Sequence, residues 1–134
     1  MIMAISDKAL IDEALRARKR AYCKYSNFSV GAALIDNDGN VHVGCNVENA
    51  SYPQGLCAEA GAVSAMIVSG GKSIETIAVA GGYDKAAACT PCGGCRQLIR
   101  EFAADDARII VIDDAKAWHT YTMDELLPQS FHLD

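Results

Sequence analysis

Helix-forming and strand-forming segments alternate along this chain, and their order is the feature that most constrains its fold. The first segment follows the capping residues Ser6 and Asp7 and repeats small and apolar side chains at helical spacing, which predicts an amphipathic helix. Two strands joined by an Asp-Gly turn are predicted next, at FSVGAALI and VHVGCNVEN. The remaining predicted segments are a helix at CAEAGAVSAMIVSGG, a strand at TIAVAGG, a helix at CGGCRQLIREFAA, strands at ARIIVID and WHTYTM, and a brief helix at DELLPQSF. Because strands alternate with helices, the sequence predicts an α/β fold, a three-layer α/β/α sandwich with a central mixed five-stranded sheet.

Size and charge restrict the classes of partner. The chain has 134 residues, of which 51% are hydrophobic, and is expected to form a single domain over residues 1–134. A net charge of −5 without a basic stripe argues against nucleic acid, whose binding depends on Lys and Arg neutralising phosphates. The longest mostly apolar stretch, residues 60–68, is far shorter than the ~20 residues that cross a bilayer. The first twenty residues lack the basic-then-apolar order of a signal peptide, so we expect a cytoplasmic protein with no membrane partner and reduced cysteines.

The helix predicted from Cys57 is apolar around almost its whole circumference. Such a helix is normally buried on all sides. One side is expected to pack on the sheet, and the other is expected to contact a second subunit. The sequence therefore suggests a homo-oligomer.

Two short motifs at predicted helix starts carry the chemistry, "CAE" at residues 57–59 and "PCGGC" at residues 91–95. A helix N-terminus favours the thiolate form of cysteine, which is the form that binds metal. Cys92 and Cys95 are one turn apart and supply two ligands, whereas a catalytic zinc site takes three and leaves one position for water. Cys57 is the best third ligand, because Glu59 follows it in an otherwise apolar first turn where a carboxylate is costly without a role.

Cys89 leaves two other metal sites open. With Cys92 and Cys95 it begins an iron–sulfur spacing, but the position of that motif's fourth cysteine is Ile99. A structural zinc site with Cys89 as the fourth sulfur is the second alternative. That site would be a non-catalytic zinc-binding module and would leave Glu59 without a role.

The chain resembles the small homotetrameric zinc-dependent cytidine deaminases over nearly its whole length. The resemblance is carried by YSNFSVGAAL, GCNVENASY, CAE, PCGGCRQ and ELLPQSF, and C-x-E…P-C-x-x-C is the three-cysteine form of the zinc deaminase signature. It implies a cytidine deaminase-like fold, one Zn²⁺ per subunit, and a homotetramer with sites near subunit interfaces. The implied activity is hydrolysis of cytidine and 2′-deoxycytidine to uridine and 2′-deoxyuridine with release of ammonia, in pyrimidine salvage. A modified cytosine nucleoside or a blasticidin-like compound is the alternative substrate.

Carried over residue by residue, the resemblance implies zinc on Cys57, Cys92 and Cys95. Glu59 is then the catalytic proton shuttle, which moves protons between the attacking water, ring nitrogen 3 and the departing ammonia. The attack is on carbon 4 of the pyrimidine.

The resemblance also implies a set of substrate-binding residues. Asn46 and Glu48 would bind the ribose hydroxyls, and their spacing of two places both on one face of a strand end. Phe28 would pack on the ring, and the backbone around Ala58 would hold the base carbonyl. Tyr52 and Phe131 match aromatic residues that family members place at subunit contacts near a neighbour's site.

Arg96 is expected to support the metal site without binding the metal. Three thiolates and one Zn²⁺ leave a net negative charge, which works against ionisation of a bound water. Arg96 directly follows Cys95 and could supply compensating positive charge. Many relatives carry a second arginine directly after the glutamate of "CAE", where this chain has Ala60.

Overall fold

One five-stranded sheet organises the computed structural model, which describes residues 5–113 and 117–133. The elements that position the site are helices on the two faces of this sheet and the segments that join them to its strands. In chain order they are α1 (Asp7–Arg18), β1 (Ser29–Asp36), β2 (Val41–Cys45), a 3₁₀ turn (Tyr52–Gln54), α2 (Ala58–Val68), β3 (Ile74–Gly82), α3 (Gly93–Phe102), β4 (Ala103–Ile112), β5 (Trp118–Thr122) and α4 (Met123–Leu126).

The sheet is mixed, as the sequence predicts. Its strand order is β2-β1-β3-β4-β5, with β3 and β4 parallel and every other neighbouring pair antiparallel. The parallel pair is the one connected through a helix, α3, because two parallel strands need a long crossover between them. This crossover starts at the end of the sheet where β1 begins, since Ser29 pairs with Gly82.

The two faces of the sheet carry separate cores, which confirms the three layers. Alternate residues of a strand point to opposite faces. Ala33 and Ile110 pack with Leu10 and Ala14 of α1. On the opposite face, Leu34, Val79 and Ile109 lie in a second core with Met66 of α2, Ile99 of α3 and Leu126 of α4. Burial of each large aliphatic side chain contributes ~1.5–3 kcal/mol, so both helical layers are held mainly by apolar burial.

The predicted second strand is too long. It was expected to continue through Asn49, but β2 ends at Cys45. Asn46 lies outside the regular strand, although its backbone N–H still donates to the Val30 carbonyl at 3.1 Å; its side-chain Oδ1 accepts from the Val30 N–H at 2.8 Å, and its Nδ2 donates to the Phe28 carbonyl at 2.9 Å. The next residue, Val47, forms isolated bridges to Tyr22 on one side and to Leu56 on the other. The chain beyond β2 therefore leaves the regular sheet and is held instead by backbone bonds to Tyr22 and Leu56.

Helix α2 lies directly against β2. A Cβ atom on Gly44 would stand 2.4 Å from the Ala58 carbonyl oxygen and 2.4 Å from the Ala62 nitrogen, so only glycine permits this approach. The helix is buried towards the sheet, while Ile67 and Val68 on its other side are 46% and 86% exposed in the single chain. No helix within residues 5–113 and 117–133 is long and apolar enough to span a membrane.

Candidate active site

Three cysteine sulfurs converge where helices α2 and α3 begin. The Sγ atoms of Cys57, Cys92 and Cys95 all lie within 4.8 Å of one another. Cys57 is the N-cap of α2, Cys92 is the N-cap of α3, and Cys95 lies in the first turn of α3. Zn–S bonds of ~2.3 Å in a tetrahedral site place sulfurs about 3.8 Å apart. The three sulfurs therefore fit a zinc ion with one coordination position left over, and this geometry favours Cys57 over Cys89 as the third sulfur.

The surroundings of the three thiols differ. Burial raises the pKa of Cys57 and, more strongly, the pKa of Cys95. The negative charge of the nearby Glu59 raises the pKa of Cys95 further. The backbone N–H of Cys95 instead lowers the pKa of Cys92, as expected for a sulfur at a helix N-terminus. Since zinc binds thiolates, loading the metal displaces protons from this site.

Glu59 is the buried carboxyl group of the cavity. It lies in the first turn of α2 and is only 4% exposed. Burial raises its pKa, which brings a carboxyl group closer to the range in which it can both accept and donate a proton near neutral pH. The carboxyl group and the three thiols share one cavity of about 390 Å³.

The same cavity brings together most of the residues that the sequence singled out. Phe28, Asn46, Glu48, Tyr52 and Ala58 all line it. We call the set Cys57, Cys92, Cys95 and Glu59 the thiol side, and the set Asn46 and Glu48, which follow the β1–β2 hairpin, the hairpin side. The remaining lining residues are Val30, Val47, Gly55, Leu56, Cys89 and Thr90.

Glu48 is held by the segment between α1 and β1. Its Oε1 accepts from the backbone N–H groups of Tyr25 at 2.9 Å and Ser26 at 3.1 Å, and its Oε2 accepts from the Ser26 hydroxyl at 2.5 Å. The Ser26 hydroxyl bond, followed by these backbone bonds, lowers the pKa of Glu48. The hairpin side thus presents a carboxylate with a fixed orientation beside the Asn46 amide.

The ring of Phe28 forms one wall of the cavity and packs against a second aromatic ring. Its ring makes an edge-to-face contact with Tyr83, with ring centroids 5.0 Å apart. Gly81 makes room for this arrangement, because a Cβ there would stand 2.6 Å from the Cys89 sulfur and 3.2 Å from the Phe28 ring. Sequence reasoning missed Tyr83 and the wall position of Cys89, since both depend on how the loop after β3 folds back.

Arg96 and Phe131 do not line the cavity. The Nε of Arg96 donates to the Pro91 carbonyl at 2.7 Å, and its Nη1 donates to the Leu126 carbonyl at 2.7 Å. The guanidinium group therefore joins the residue before Cys92 to helix α4. Phe131 is 67% exposed, and its carbonyl accepts from the Gln97 side chain at 3.0 Å.

Comparison with known proteins places this geometry in a family. The family model described as the cytidine and deoxycytidylate deaminase zinc-binding region matches residues 4–112. The cytidine deaminase of Halalkalibacterium halodurans is 40% identical over 122 residues, which cover 91% of each chain. The cytidine deaminase of Sporosarcina psychrophila is 38% identical over 122 residues, covering 91% of this chain and 88% of the relative.

Solved structures agree with the sequence relatives. The crystal structure of cytidine deaminase from Burkholderia pseudomallei superposes with a TM-score of 0.86 at 39% identity, covering 95% of this chain and all of the other. That of cytidine deaminase from Mycobacterium tuberculosis gives a TM-score of 0.82 at 36% identity, with coverage of 96% and 99%. These superpositions cover nearly the whole chain and confirm the predicted α/β architecture.

Proposed function

The chain belongs to the cytidine and deoxycytidylate deaminase family, and we propose that it is a zinc-dependent cytidine deaminase. It hydrolyses cytidine and 2′-deoxycytidine to uridine and 2′-deoxyuridine and releases ammonia. The observation that carries this proposal is the convergence of three thiols and the buried Glu59 in one cavity with Asn46 and Glu48. A zinc-only module has no use for a buried carboxyl group beside the metal site.

The metal would be held by Cys57, Cys92 and Cys95, with one Zn²⁺ per subunit. These are the soft sulfur ligands that zinc accepts, and their mutual distances fit its size. The chemistry that zinc supplies when bound is activation of water as a nucleophile near neutral pH. The N-terminus of α3 directs backbone N–H groups towards the Cys92 sulfur and favours its anionic form.

Glu59 moves the protons of the reaction. Its carboxylate takes a proton from the attacking water as the oxygen bonds to carbon 4, and it delivers that proton to ring nitrogen 3. Glu59 then takes the remaining proton from the hydroxyl on carbon 4 and delivers it to the exocyclic amine, so that the C4–N bond breaks, the C4 carbonyl forms and ammonia leaves. The burial that raises its pKa suits a group that must hold a proton between these two transfers.

The hairpin side and the aromatic wall orient the nucleoside. We propose that Glu48 and Asn46 bind the ribose hydroxyls, that Phe28 packs on the pyrimidine, and that the backbone around Ala58 holds the base carbonyl. A cavity of about 390 Å³ is in the size range of small-molecule sites. Its described lining includes two carboxylates and no Lys or Arg, which supports an uncharged nucleoside over a polynucleotide.

We also propose a homotetramer in which Tyr52 and Phe131 lie at subunit contacts near a neighbour's site. Both are exposed in the single chain, at 80% and 67%, as are Ile67 and Val68 of α2. The whole chain would form one catalytic domain, and its six free cysteines suit a reducing cytoplasm, where the enzyme would serve pyrimidine salvage. A monomeric mass by light scattering at micromolar concentration would overturn the tetramer.

Ultraviolet absorbance tests the activity directly. Purified zinc-loaded protein is incubated separately with cytidine, 2′-deoxycytidine and free cytosine, and the loss of substrate absorbance is followed. We expect turnover of both nucleosides and little turnover of the free base, because the base lacks the hydroxyls that Asn46 and Glu48 bind. Unchanged absorbance with both nucleosides would overturn the proposed function.

A further inference from the structure

The Ser26 hydroxyl lies between two residues of the cavity wall, Glu48 and Phe28. It donates to Glu48 Oε2 at 2.5 Å and accepts from the backbone N–H of Phe28 at 3.0 Å. The backbone N–H of Ser26 makes a further bond to Glu48 Oε1 at 3.1 Å. One residue thus contacts both the carboxylate of the hairpin side and the main chain that carries the aromatic ring.

The donor and acceptor accounting fixes the direction of these bonds. A hydroxyl has one proton to donate, and the backbone N–H of Phe28 can only donate. The hydroxyl oxygen therefore accepts from Phe28, and its own proton is directed to Glu48. Because the carboxylate already accepts from Tyr25 and Ser26 N–H groups on Oε1, the hydroxyl is what fixes the position of Oε2.

The loop around Ser26 is built to hold this geometry. Asn27 adopts a left-handed conformation with φ of 61°, which asparagine tolerates better than most residues, and its N–H bonds to the Cys23 carbonyl at 2.8 Å. The Phe28 carbonyl is held by the Asn46 amide at 2.9 Å. The main chain of Phe28 is thus fixed at its N–H by Ser26 and at its carbonyl by Asn46.

Building on the proposed function, we infer that Ser26 is a positioning residue for the sugar: its hydroxyl orients the Glu48 carboxylate for the ribose hydroxyls and sets its place relative to Phe28. Ser26 does not line the main cavity but lines a second one of about 400 Å³, which shares Glu48, Tyr52 and Gly55 with it. It therefore acts through Glu48 rather than by contact with the pyrimidine. The lowered pKa of Glu48, caused first by the Ser26 hydroxyl, is consistent with a carboxylate kept as an acceptor for sugar hydroxyls.

Substrate pairs that differ only in the sugar hydroxyls test this role. For Ser26→Ala, kcat/KM is measured with cytidine and with 2′,3′-dideoxycytidine, which lacks both ring hydroxyls. Loss of the exposed hydrogen bond to Glu48 is expected to lower the cytidine value about 3- to 10-fold more than the dideoxycytidine value, since the second substrate is affected only by loss of the acceptor for the Phe28 N–H. The ratio of the two kcat/KM values, which measures discrimination for the hydroxyls, falls by the same factor.

Matched variants separate positioning from folding. Ser26→Thr keeps the hydroxyl and should restore the ratio, whereas Ser26→Cys, with only a weak S–H donor, should lower it even if the alanine variant does not fold. Ser29→Ala removes a nearby serine hydroxyl that bonds to the Gly82 carbonyl, and it should leave the ratio unchanged. In the double variant of Ser26→Ala with Glu48→Gln, the ratio should fall little below that of Glu48→Gln alone, because both changes remove one interaction.

The outcomes that overturn the inference differ from those that overturn the function. Equal losses with cytidine and dideoxycytidine in both Ser26→Ala and Ser26→Cys would show a structural role only. An unchanged ratio in these variants would show that the hydroxyl does not orient Glu48. Failure of the parent enzyme to deaminate cytidine would overturn the proposed function itself, whatever the variants do.

Discussion

The thiol side and the hairpin side of the cavity are built by different structural means. Cys57, Cys92 and Cys95 lie at the starts of two helices, and Glu59 is buried in the first turn of one of them. The hairpin side lies on irregular chain after β2 and is oriented by side-chain hydrogen bonds, above all those around Glu48. Regular helix starts hold the groups that we propose to react, whereas the groups that we propose to choose the substrate depend on a few polar contacts. Changes on the thiol side should therefore remove the metal or the reaction, and changes on the hairpin side should alter substrate preference.

The largest effect is expected for Cys95→Ser. Cys95 is buried and belongs to the three-sulfur group, and a hydroxyl is a poor replacement for a thiolate on zinc. Bound zinc, measured by atomic absorption, and turnover of cytidine and dideoxycytidine should all be lost together. Near-normal zinc content in this variant would break the assignment of the thiol side.

Glu59→Gln should separate the two proposed functions of the thiol side, which are proton transfer and zinc binding. The variant keeps the volume of the side chain but cannot move protons, so cytidine turnover should slow by ~10²–10⁴-fold. Zinc content should match that of the parent protein, because the three sulfurs are unchanged. A variant that keeps full activity would remove Glu59 from the mechanism, and the zinc-binding module would then be the better interpretation.

Arg96→Ala should have a smaller effect, on the support of the thiol side. It removes the bonds to the Pro91 and Leu126 carbonyls, which should cost about 2 kcal/mol of unfolding free energy and lower the Tm by roughly 5–10 °C. Zinc should also dissociate more readily under a chelator, since Pro91 precedes Cys92.

Arg96→Lys distinguishes the two ways in which Arg96 could act. Lysine keeps the positive charge but lacks the planar fork that reaches two carbonyls. We expect it to restore little of the lost stability or zinc retention. Full restoration by lysine would instead support the compensating-charge role that the sequence suggested.

The smallest effect is expected for Cys89→Ser, which tests the boundary of the thiol side. Cys89 lines the cavity but lies outside the three-sulfur group of the described residues. Zinc content should be unchanged and kcat/KM should stay within about 3-fold of the parent value, as is usual for substitutions away from critical contacts. Loss of zinc here would favour a four-sulfur structural site.

The sequence predicted the thiol side far better than the hairpin side, for a physical reason. Cysteines at helix starts, with a carboxylate in the first turn of one helix, form a local pattern whose chemistry is nearly independent of the rest of the fold. The spacing of Asn46 and Glu48 indicated one shared face, and both do line the cavity, but the strand that was meant to carry them ends at Cys45. The contact between Ser26 and Glu48 could not be predicted, because it depends on where the chain bends after β2.

The contacts of Arg96 also depend on tertiary structure and could not be predicted from the sequence. Its position directly after Cys95 predicts that its charge compensates the metal site, which stays a prediction, but it did not predict that its guanidinium donates to the carbonyls of Pro91 and Leu126. Proximity in sequence gave no information about side-chain direction on the helix. The location of Leu126 beside α3 is a tertiary contact that no local pattern encodes.

The close approach of α2 to Gly44 has a consequence for how such a site can be redesigned. The backbone of the helix that carries Cys57 and Glu59 touches the strand itself, so the contact contains no side chain that could be repacked. To change the nucleoside preference, the contact between α2 and β2 should be kept, and the loop around Ser26 and the chain after Cys45 should be varied. Directed evolution of substrate choice is therefore best confined to these two segments, with Gly44 and the start of α2 left unchanged.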